Sequence, residues 1–195
     1  AVILCGGKGI RLRPLTNDVP KPLIKINDAP ILSHVLQHLT KYKISKFMIA
    51  TGYQSKKIED FMRDNYKELD YTIVNSGDTD ILSRVKDCIK YLDTDMLLCY
   101  GDTISNIDLE DLLNFHKCNI NDVIISSYPI EIPFGVMEID NNYVVTSFLE
   151  KPILKSVMNI GYYYFNKKDF SIIDNSNDII DLINKLINTK SLKCY

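Results

Sequence analysis

The sequence predicts an α/β fold: a doubly wound, mixed but mainly parallel sheet with helices on both faces and a small antiparallel excursion. In the first 128 residues, short apolar runs alternate with amphipathic segments of helical period, which is the pattern of a parallel sheet. After Tyr128 the apolar runs follow one another through short polar turns such as Asp140-Asn141-Asn142, which is typical of antiparallel strands.

Eight short apolar runs are candidate strands. They cover residues 1–5, 46–51, 71–74, 96–100, 123–128, 135–139, 144–149 and 161–165. Five segments have helical spacing of apolar residues. They are residues 31–39 after Pro30, a segment around Ile58 and Met62, residues 81–92, a segment that follows the candidate N-cap Asp108, and a segment near 179–187.

Composition and charge limit the function classes. The 195 residues contain no glycine-, serine- or proline-rich linker and no internal repeat, so one domain over 1–195 is predicted. A net charge of −2 gives no reason to expect nucleic acid or an anionic membrane as partner. Five cysteines without a CxxC pair, and no recognisable signal peptide, predict reduced thiols and a cytoplasmic protein.

Polar, glycine-containing sequences follow four of the predicted strands. They are Gly6-Gly7-Lys8-Gly9, Thr51-Gly52-Tyr53, Asn75-Ser76-Gly77-Asp78 and Gly101-Asp102. In open α/β sheets, ligands bind beyond the carboxyl ends of the strands. These four segments therefore predict one ligand site at that edge of the sheet.

The first segment, in AVILCGGKGIRLRPLTNDVPKPL, places positive side chains beside glycines. It is not a P-loop, because Gly9 follows Lys8 where that motif needs serine or threonine. It is not a dinucleotide fingerprint, because Leu12 replaces the third glycine. Two interpretations of the segment are left. It is either a loop whose backbone N–H groups approach phosphate, with Arg11 as a clamp, or an ordinary glycine turn with solvated charges.

Three motifs taken together resemble one family. The motifs are LCGGKGIRLRPLT with PKPL, then Gly101-Asp102, then EKP at 150–152. Their order and spacing resemble those of the sugar nucleotidyltransferases, and the resemblance extends from residue 1 to about 165. These enzymes couple a nucleoside triphosphate to a sugar 1-phosphate and release pyrophosphate on a Rossmann-like fold. The resemblance implies a nucleotide-binding half at 1–128 and an acceptor-binding half at 129–195.

The resemblance also implies roles for individual residues. Arg11 would hold the triphosphate, Lys21 would neutralise phosphate charge near the reacting centre, and Asp102 would bind Mg²⁺ or Mn²⁺; these three are the expected catalytic residues. The expected nucleotide-binding residues are Leu4, Gly6, Gly7, Gly9, Gly77, Asp78, Tyr100 and Gly101. The expected acceptor-binding residues are Gly135, Glu150, Lys151, Asn159 and Gly161.

This chemistry needs no general base. The attacking phosphate is already anionic at neutral pH, so positioning and charge neutralisation supply the catalysis. His34 and His38 have an i, i+4 spacing that can bind metal, but no third ligand is evident in the sequence, so we expect packing or surface roles for them.

The nucleotide is expected to be CTP. Two segments are similar to the cytidylyltransferase branch of the family, typified by glucose-1-phosphate cytidylyltransferase: VNSGDTDILSRVKDCIKYL and LLCYGDTISNIDL. The residues in these segments that match the branch pattern are Gly77, Arg84 and Tyr100. The thymidylyl and guanylyl branches usually carry a proline- and glycine-rich element after the third strand, whereas no proline occurs between Pro30 and Pro129. GTP is the alternative.

The chain departs from the family in three places. Ile10 replaces a threonine of the signature loop, Ile81-Leu82-Ser83 replaces polar and glycine residues, and the family's C-terminal acceptor-reading stretch has no match. The unmatched stretch means either that a C-terminal tail is missing from this sequence or that the acceptor is not an ordinary hexose phosphate, and we expect a small phosphorylated acceptor. Overall similarity to a capsule-type cytidylyltransferase suggests L-glutamine phosphate, for capsule or surface-polysaccharide precursor synthesis.

Three alternatives stay open. A sugar-1-phosphate cytidylyl- or guanylyltransferase would share all three motifs. A glycosyltransferase would also need a strand-end aspartate, but not the PKP lysine. A non-catalytic regulatory paralogue would share the fold, although Arg11, Lys21 and Asp102 are all present and favour an enzyme. A homo-oligomer and a monomer are both compatible with the sequence.

Overall fold

The computed structural model describes residues 1–195, in eleven β-strands and six α-helices. The strands are β1 (Val2–Leu4), β2 (Lys25–Ile26), β3 (Ala29–Pro30), β4 (Lys46–Thr51), β5 (Asp70–Asn75), β6 (Met96–Tyr100), β7 (Val123–Glu131), β8 (Val136–Ile139), β9 (Val145–Leu149), β10 (Ile153–Phe165) and β11 (Leu192–Cys194). The helices are α1 (Ile31–Lys41), α2 (Ser55–Asn65), α3 (Ile81–Ile89), α4 (Leu109–Cys118), α5 (Phe170–Asp174) and α6 (Ile179–Asn188).

Seven strands form one mixed sheet in the order β11-β7-β10-β6-β1-β4-β5. Strands β6, β1, β4 and β5 pair in parallel, and so do β11 and β7. β10 lies between β6 and β7 and is antiparallel to both of them. The predicted mixed, mainly parallel sheet is confirmed.

Two apolar cores cover the two faces of this sheet. Alternate strand residues point to opposite faces, so Ile3 belongs to one core and Val2 to the other. The first core contains the apolar faces of α1, α2 and α4, and the second contains those of α3, α5 and α6. Helices therefore pack on both faces, as predicted for a doubly wound fold.

Aspartate N-caps set the start of three helices. The side chains of Asp80, Asp108 and Asp178 accept hydrogen bonds from first-turn backbone N–H groups of α3, α4 and α6. α1 begins directly after Pro30. The predicted starts at Pro30 and Asp108 are confirmed. None of the helices is both long enough and apolar enough to cross a bilayer.

The antiparallel excursion is a hairpin of β8 and β9, outside the main sheet. Its turn is held by Asp140, whose Oδ1 accepts hydrogen bonds from the backbone N–H groups of Asn142 and Val144, at 2.8 and 2.9 Å. Thirteen of the 23 exposed large apolar side chains of the protein lie between Tyr128 and Met158, on this hairpin and the adjoining halves of β7 and β10.

The structure corrects several predicted boundaries. β10 begins at Ile153 instead of 161, and β2, β3, β11 and α5 were not predicted. The predicted division between residues 128 and 129 falls inside β7. Residues 162–165 pair with β6, and β11 pairs with β7, so much of the predicted acceptor half belongs to the main sheet.

Candidate active site

The glycine loop after β1 turns sharply into a short 3-10 segment, Ile10–Leu12. Gly9 has φ +61°, and a Cβ there would lie 2.8 Å from Cγ2 of Thr16, so glycine is required on both grounds. The Thr16 hydroxyl donates to the Gly9 carbonyl at 2.9 Å and closes the loop. Gly7 is exposed, with open space beside its Cα. Its backbone is therefore accessible to a ligand.

This loop forms one wall of a cavity of about 370 Å³ at the carboxyl ends of β1 and β6. Its charged lining groups are Lys8, Arg11, Lys21 and Asp102. Three cations therefore face one anion in the same concave site, an arrangement that attracts a polyanionic ligand. The remaining lining residues are Leu4, Cys5, Gly7, Gly9, Ile10, Leu12, Pro22 and Ile81.

Lys21 and Asp102 form an ion pair, with Lys21 Nζ 2.5 Å from Asp102 Oδ2. Lys21 begins a 3-10 turn between Pro20 and Pro22, and Asp102 follows β6. Their side chains are 32% and 31% exposed, so both remain accessible from the cavity. The structure brings together the three predicted catalytic residues, since Arg11 lines the same cavity.

Lys8 and Asp78 form a second ion pair. Lys8 Nζ lies 2.6 Å from Asp78 Oδ2, and the pair joins the glycine loop to the segment between β5 and α3. Lys8 lines the cavity, whereas Asp78 is outside its lining. The two residues are therefore linked across the edge of the cavity.

Arg84, which belongs to the cytidylyltransferase-like sequence pattern, is a buried residue of this region. It lies on the apolar face of α3 and is 6% exposed. Its Nη2 donates to the Gly77 carbonyl at 3.3 Å, while its Nε has no hydrogen-bond partner. Burial lowers the pKa of its guanidinium. The sequence contained one indication of this burial: Arg84 occupies a position on the apolar face of the helical pattern of α3.

Two of the strand-end glycines make room for Arg84. A Cβ on Gly6 would lie 2.1 Å from Arg84 Nε, and a Cβ on Gly52 would lie 3.0 Å from Arg84 Nη2 and 2.4 Å from the Gly77 carbonyl oxygen. Gly6 is buried and does not line the cavity. Its glycine identity is therefore explained by packing against the guanidinium.

The predicted nucleotide-binding residues separate into two groups. Leu4, Gly7 and Gly9 line the cavity, whereas Gly6, Gly77, Asp78, Tyr100 and Gly101 do not. Gly101 packs against β1, because a Cβ there would lie 2.5 Å from Cys5 Sγ.

Four of the five predicted acceptor-binding residues form two separate pairs. A Cβ on Gly135 would lie 3.3 Å from Glu150 Oε2, so these two residues are neighbours in the hairpin region. Asn159 Oδ1 accepts the Gly161 N–H at 2.7 Å, and the Tyr100 side chain covers the Gly161 Cα. Lys151 is exposed with φ +47°. None of the five lines the 370 Å³ cavity, so the structure does not join them to it.

The carboxylate of Asp102 is suited to bind a hard divalent cation that is also coordinated by the phosphates of a bound ligand. Mg²⁺ keeps several waters and is usually held by one or two carboxylates together with substrate phosphates. Asp102 is the only carboxylate in the cavity lining, and no group of three potential metal ligands occurs in the structure. The residues therefore fit a metal–nucleotide complex and do not form an all-protein metal cage.

The fold and this cavity define a class: an α/β protein with a cation-rich cavity at the carboxyl ends of its parallel strands, where ligands bind in such folds. The model of the nucleotidyl transferase family matches residues 1–195, so the chain belongs to that family.

Relatives of the chain have names that indicate different activities. The chain is 31% identical, over 98% of its length, to the bifunctional protein GlmU of Methanococcus maripaludis, and spans 48% of that relative. It is 30% identical, over 89% of its length and 77% of the relative, to a probable glucose-1-phosphate cytidylyltransferase of Bacillus subtilis. It is also 30% identical, over 88% of its length and 77% of the relative, to D-glycero-alpha-D-manno-heptose 1-phosphate guanylyltransferase of Campylobacter jejuni.

Solved structures share the fold. A putative glucose-1-phosphate thymidylyltransferase from Bacillus anthracis matches all of this chain and 85% of its own, with a TM-score of 0.80 and 23% identity. HddC from Yersinia pseudotuberculosis, complexed with GMP-PN, matches 90% of this chain and 79% of its own, with a TM-score of 0.69 and 23% identity.

Proposed function

We propose that the protein transfers a nucleoside monophosphate, CMP from CTP, to a phosphorylated small acceptor and releases pyrophosphate. One observation carries this proposal: Lys8, Arg11, Lys21 and Asp102 converge on one cavity at the carboxyl ends of β1 and β6. A triphosphate carrying a divalent cation complements that charge set.

The proposed mechanism is positioning with charge neutralisation. The exposed backbone of Gly7 and the guanidinium of Arg11 hold the triphosphate oxygens. Lys21 leaves Asp102 and stabilises the charge that develops as an acceptor phosphate oxygen attacks the α-phosphorus. Asp102, together with the phosphates, would hold a Mg²⁺ or Mn²⁺ ion, which would supply further charge neutralisation. The acceptor O–P bond forms as the bond to pyrophosphate breaks, and no general base is required.

CTP is proposed from the resemblance of the β5–α3 and β6 segments to the cytidylyltransferase branch. The similarity to the Bacillus subtilis relative, whose name carries that activity, supports this choice. The similarity to the Campylobacter jejuni guanylyltransferase favours GTP as the alternative.

L-glutamine phosphate is the proposed acceptor, in the synthesis of capsule or surface-polysaccharide precursors. Glu150 and Lys151 are exposed, and they provide one group of each charge for an amino-acid moiety and its phosphate. A sugar 1-phosphate, giving a nucleoside diphosphate sugar, is the alternative acceptor.

One assay separates these possibilities. Pyrophosphate release is measured with CTP, GTP, UTP and dTTP, each combined with L-glutamine phosphate or glucose 1-phosphate, with and without Mg²⁺. We expect turnover with CTP and L-glutamine phosphate that requires the metal. Turnover of glucose 1-phosphate alone would assign the protein to the sugar branch. No pyrophosphate release in any pair, from a protein that calorimetry shows to bind CTP, would support a regulatory paralogue.

We also propose that the protein forms a homo-oligomer through the hairpin of β8 and β9. Met137 and Phe148 are cross-strand partners there and are 58% and 59% exposed. Exposed apolar side chains that lie next to each other favour contact with another protein surface.

A further inference from the structure

We propose that the ion pair of Lys8 and Asp78, at the edge of the triphosphate cavity, competes with triphosphate binding; we call this ion pair the latch. An incoming triphosphate opens the latch by taking Lys8 away from Asp78. Asp78 then opposes nucleotide binding and does not contact the ligand. This inference rests on the proposed triphosphate site and adds Lys8 to the residues that hold the phosphates.

The geometry of the pair links two segments that are distant in the sequence. Lys8 belongs to the glycine loop after β1, and Asp78 to the segment between β5 and α3. Lys8 Nζ and Asp78 Oδ2 are 2.6 Å apart. Because Lys8 lines the cavity and Asp78 does not, an ammonium group that leaves Asp78 can be taken up by an anion inside the cavity.

The exposure of the pair makes it easy to break. The Lys8 and Asp78 side chains are 42% and 74% exposed, so water and salt screen their attraction. Such surface pairs shift an equilibrium by only about two- to fivefold. A triphosphate offers several anionic oxygens to the Lys8 ammonium, and Arg11 and Lys21 attract the same triphosphate into the cavity. The triphosphate therefore competes successfully with Asp78 for Lys8.

The second ion pair of the site is different. Lys21 and Asp102 both line the cavity, so both can engage a metal–triphosphate complex after they separate. Asp78 is left without its partner when Lys8 moves. Removing the charge of Asp78 should therefore favour binding, whereas removing the charge of Lys8 should weaken it.

The test uses inorganic tripolyphosphate, which probes the phosphate site without a nucleobase. Affinity is measured by calorimetry for wild type, Asp78→Asn, Lys8→Met and the double variant, at low and at high salt. We expect Asp78→Asn to bind about two- to fivefold more tightly than wild type. Lys8→Met should bind about tenfold more weakly. The gain from Asp78→Asn should shrink at high salt.

The double variant decides whether Asp78 acts through Lys8. We expect its affinity to equal that of Lys8→Met alone, because the latch no longer exists in that background. A gain that persists in the Lys8→Met background would mean direct repulsion between Asp78 and phosphate, and would overturn the latch. Weaker binding by Asp78→Asn would mean a direct ligand contact and would also overturn it.

Asp64→Asn is the matched control. Asp64 pairs with Arg63 at 3.0 Å on the surface of α2, outside the cavity lining, and the substitution changes the net charge equally. It should leave tripolyphosphate affinity unchanged. A wild-type protein that binds neither tripolyphosphate nor any nucleoside triphosphate would contradict the proposed function itself, whereas normal wild-type binding with an unaltered Asp78→Asn affinity would contradict only the latch.

Discussion

At the scale of single residues, two of the three cations that line the cavity are paired with carboxylates. Lys21 pairs with Asp102 and Lys8 pairs with Asp78, while Arg11 lines the same cavity without an ion-pair partner. The convergence of Arg11, Lys21 and Asp102 on one cavity was predictable, because two sequence motifs carry these three residues. Arg84 was not assigned a role, because its burial depends on Gly6 and on other strand ends that meet only in the folded chain.

Asp102→Asn is expected to lower kcat by more than ~100-fold, because one preorganised electrostatic group of the site is lost. Steady-state pyrophosphate release measures the effect, and a thermal melt of the same sample reports on folding. Asp93→Asn, at the opposite edge of the sheet, is the control and should leave the rate unchanged. Near-normal turnover by Asp102→Asn would contradict the assigned metal-binding role.

Arg11→Lys is expected to impair triphosphate binding strongly, although the charge is kept, because lysine lacks the planar fork that binds two phosphate oxygens. Calorimetry with tripolyphosphate measures the loss. Arg13→Lys is the matched control, since Arg13 is exposed and does not line the cavity. Equal affinities for the two variants would mean that Arg11 contributes only charge.

At the scale of elements, local patterns predicted the strands with continuous apolar runs and the helices with clear caps. The strands β1, β4 and β6 are mostly buried and consist mainly of consecutive apolar residues. The helix α4 begins directly after its N-cap, Asp108. The first half of β10 was missed because Lys155 and Ser156 interrupt its apolar pattern. That half is defined by pairing with β7, which lies far away in the sequence.

Asp80 permits a test of how α3 begins. Its carboxylate accepts hydrogen bonds from the Ser83 hydroxyl and backbone N–H, at 2.5 and 3.0 Å, and the Ser83 hydroxyl lowers its pKa below the ordinary 3.8. The native pKa is therefore below the unfolded one. The cap stabilises the fold above about pH 4, and this contribution is lost as the pH falls through the native pKa.

Asp80→Ala is accordingly expected to reduce the free energy of unfolding at pH 7 by about 1 kcal/mol. Asp80→Asn keeps an effective cap but cannot titrate, so it should retain most of the stability and lose less of it on acidification. Urea unfolding between pH 7 and pH 3 measures both effects. A steeper acid loss in Asp80→Asn than in wild type would contradict this assignment.

At the scale of the whole molecule, the exposed apolar residues are concentrated in the excursion between Tyr128 and Met158. We expect sedimentation to give a mass above that of one chain. Met137→Glu with Phe148→Glu should lower the measured mass, because four like charges would meet in a twofold contact. Ile180→Glu, on α6 at a side chain that is 65% exposed, is the control. A monomeric wild type would contradict the proposed association.

The place of β10 in the sheet has a consequence for synthesis on the ribosome. β7 has no direct neighbour among the strands made before it, because β10 separates it from β6. The polypeptide must therefore grow from Glu131 to Phe165 before β7 can join the sheet. At about 5–20 residues per second, this leaves the nascent β7 unpaired for a few seconds, while β1, β4, β5 and β6 can already assemble.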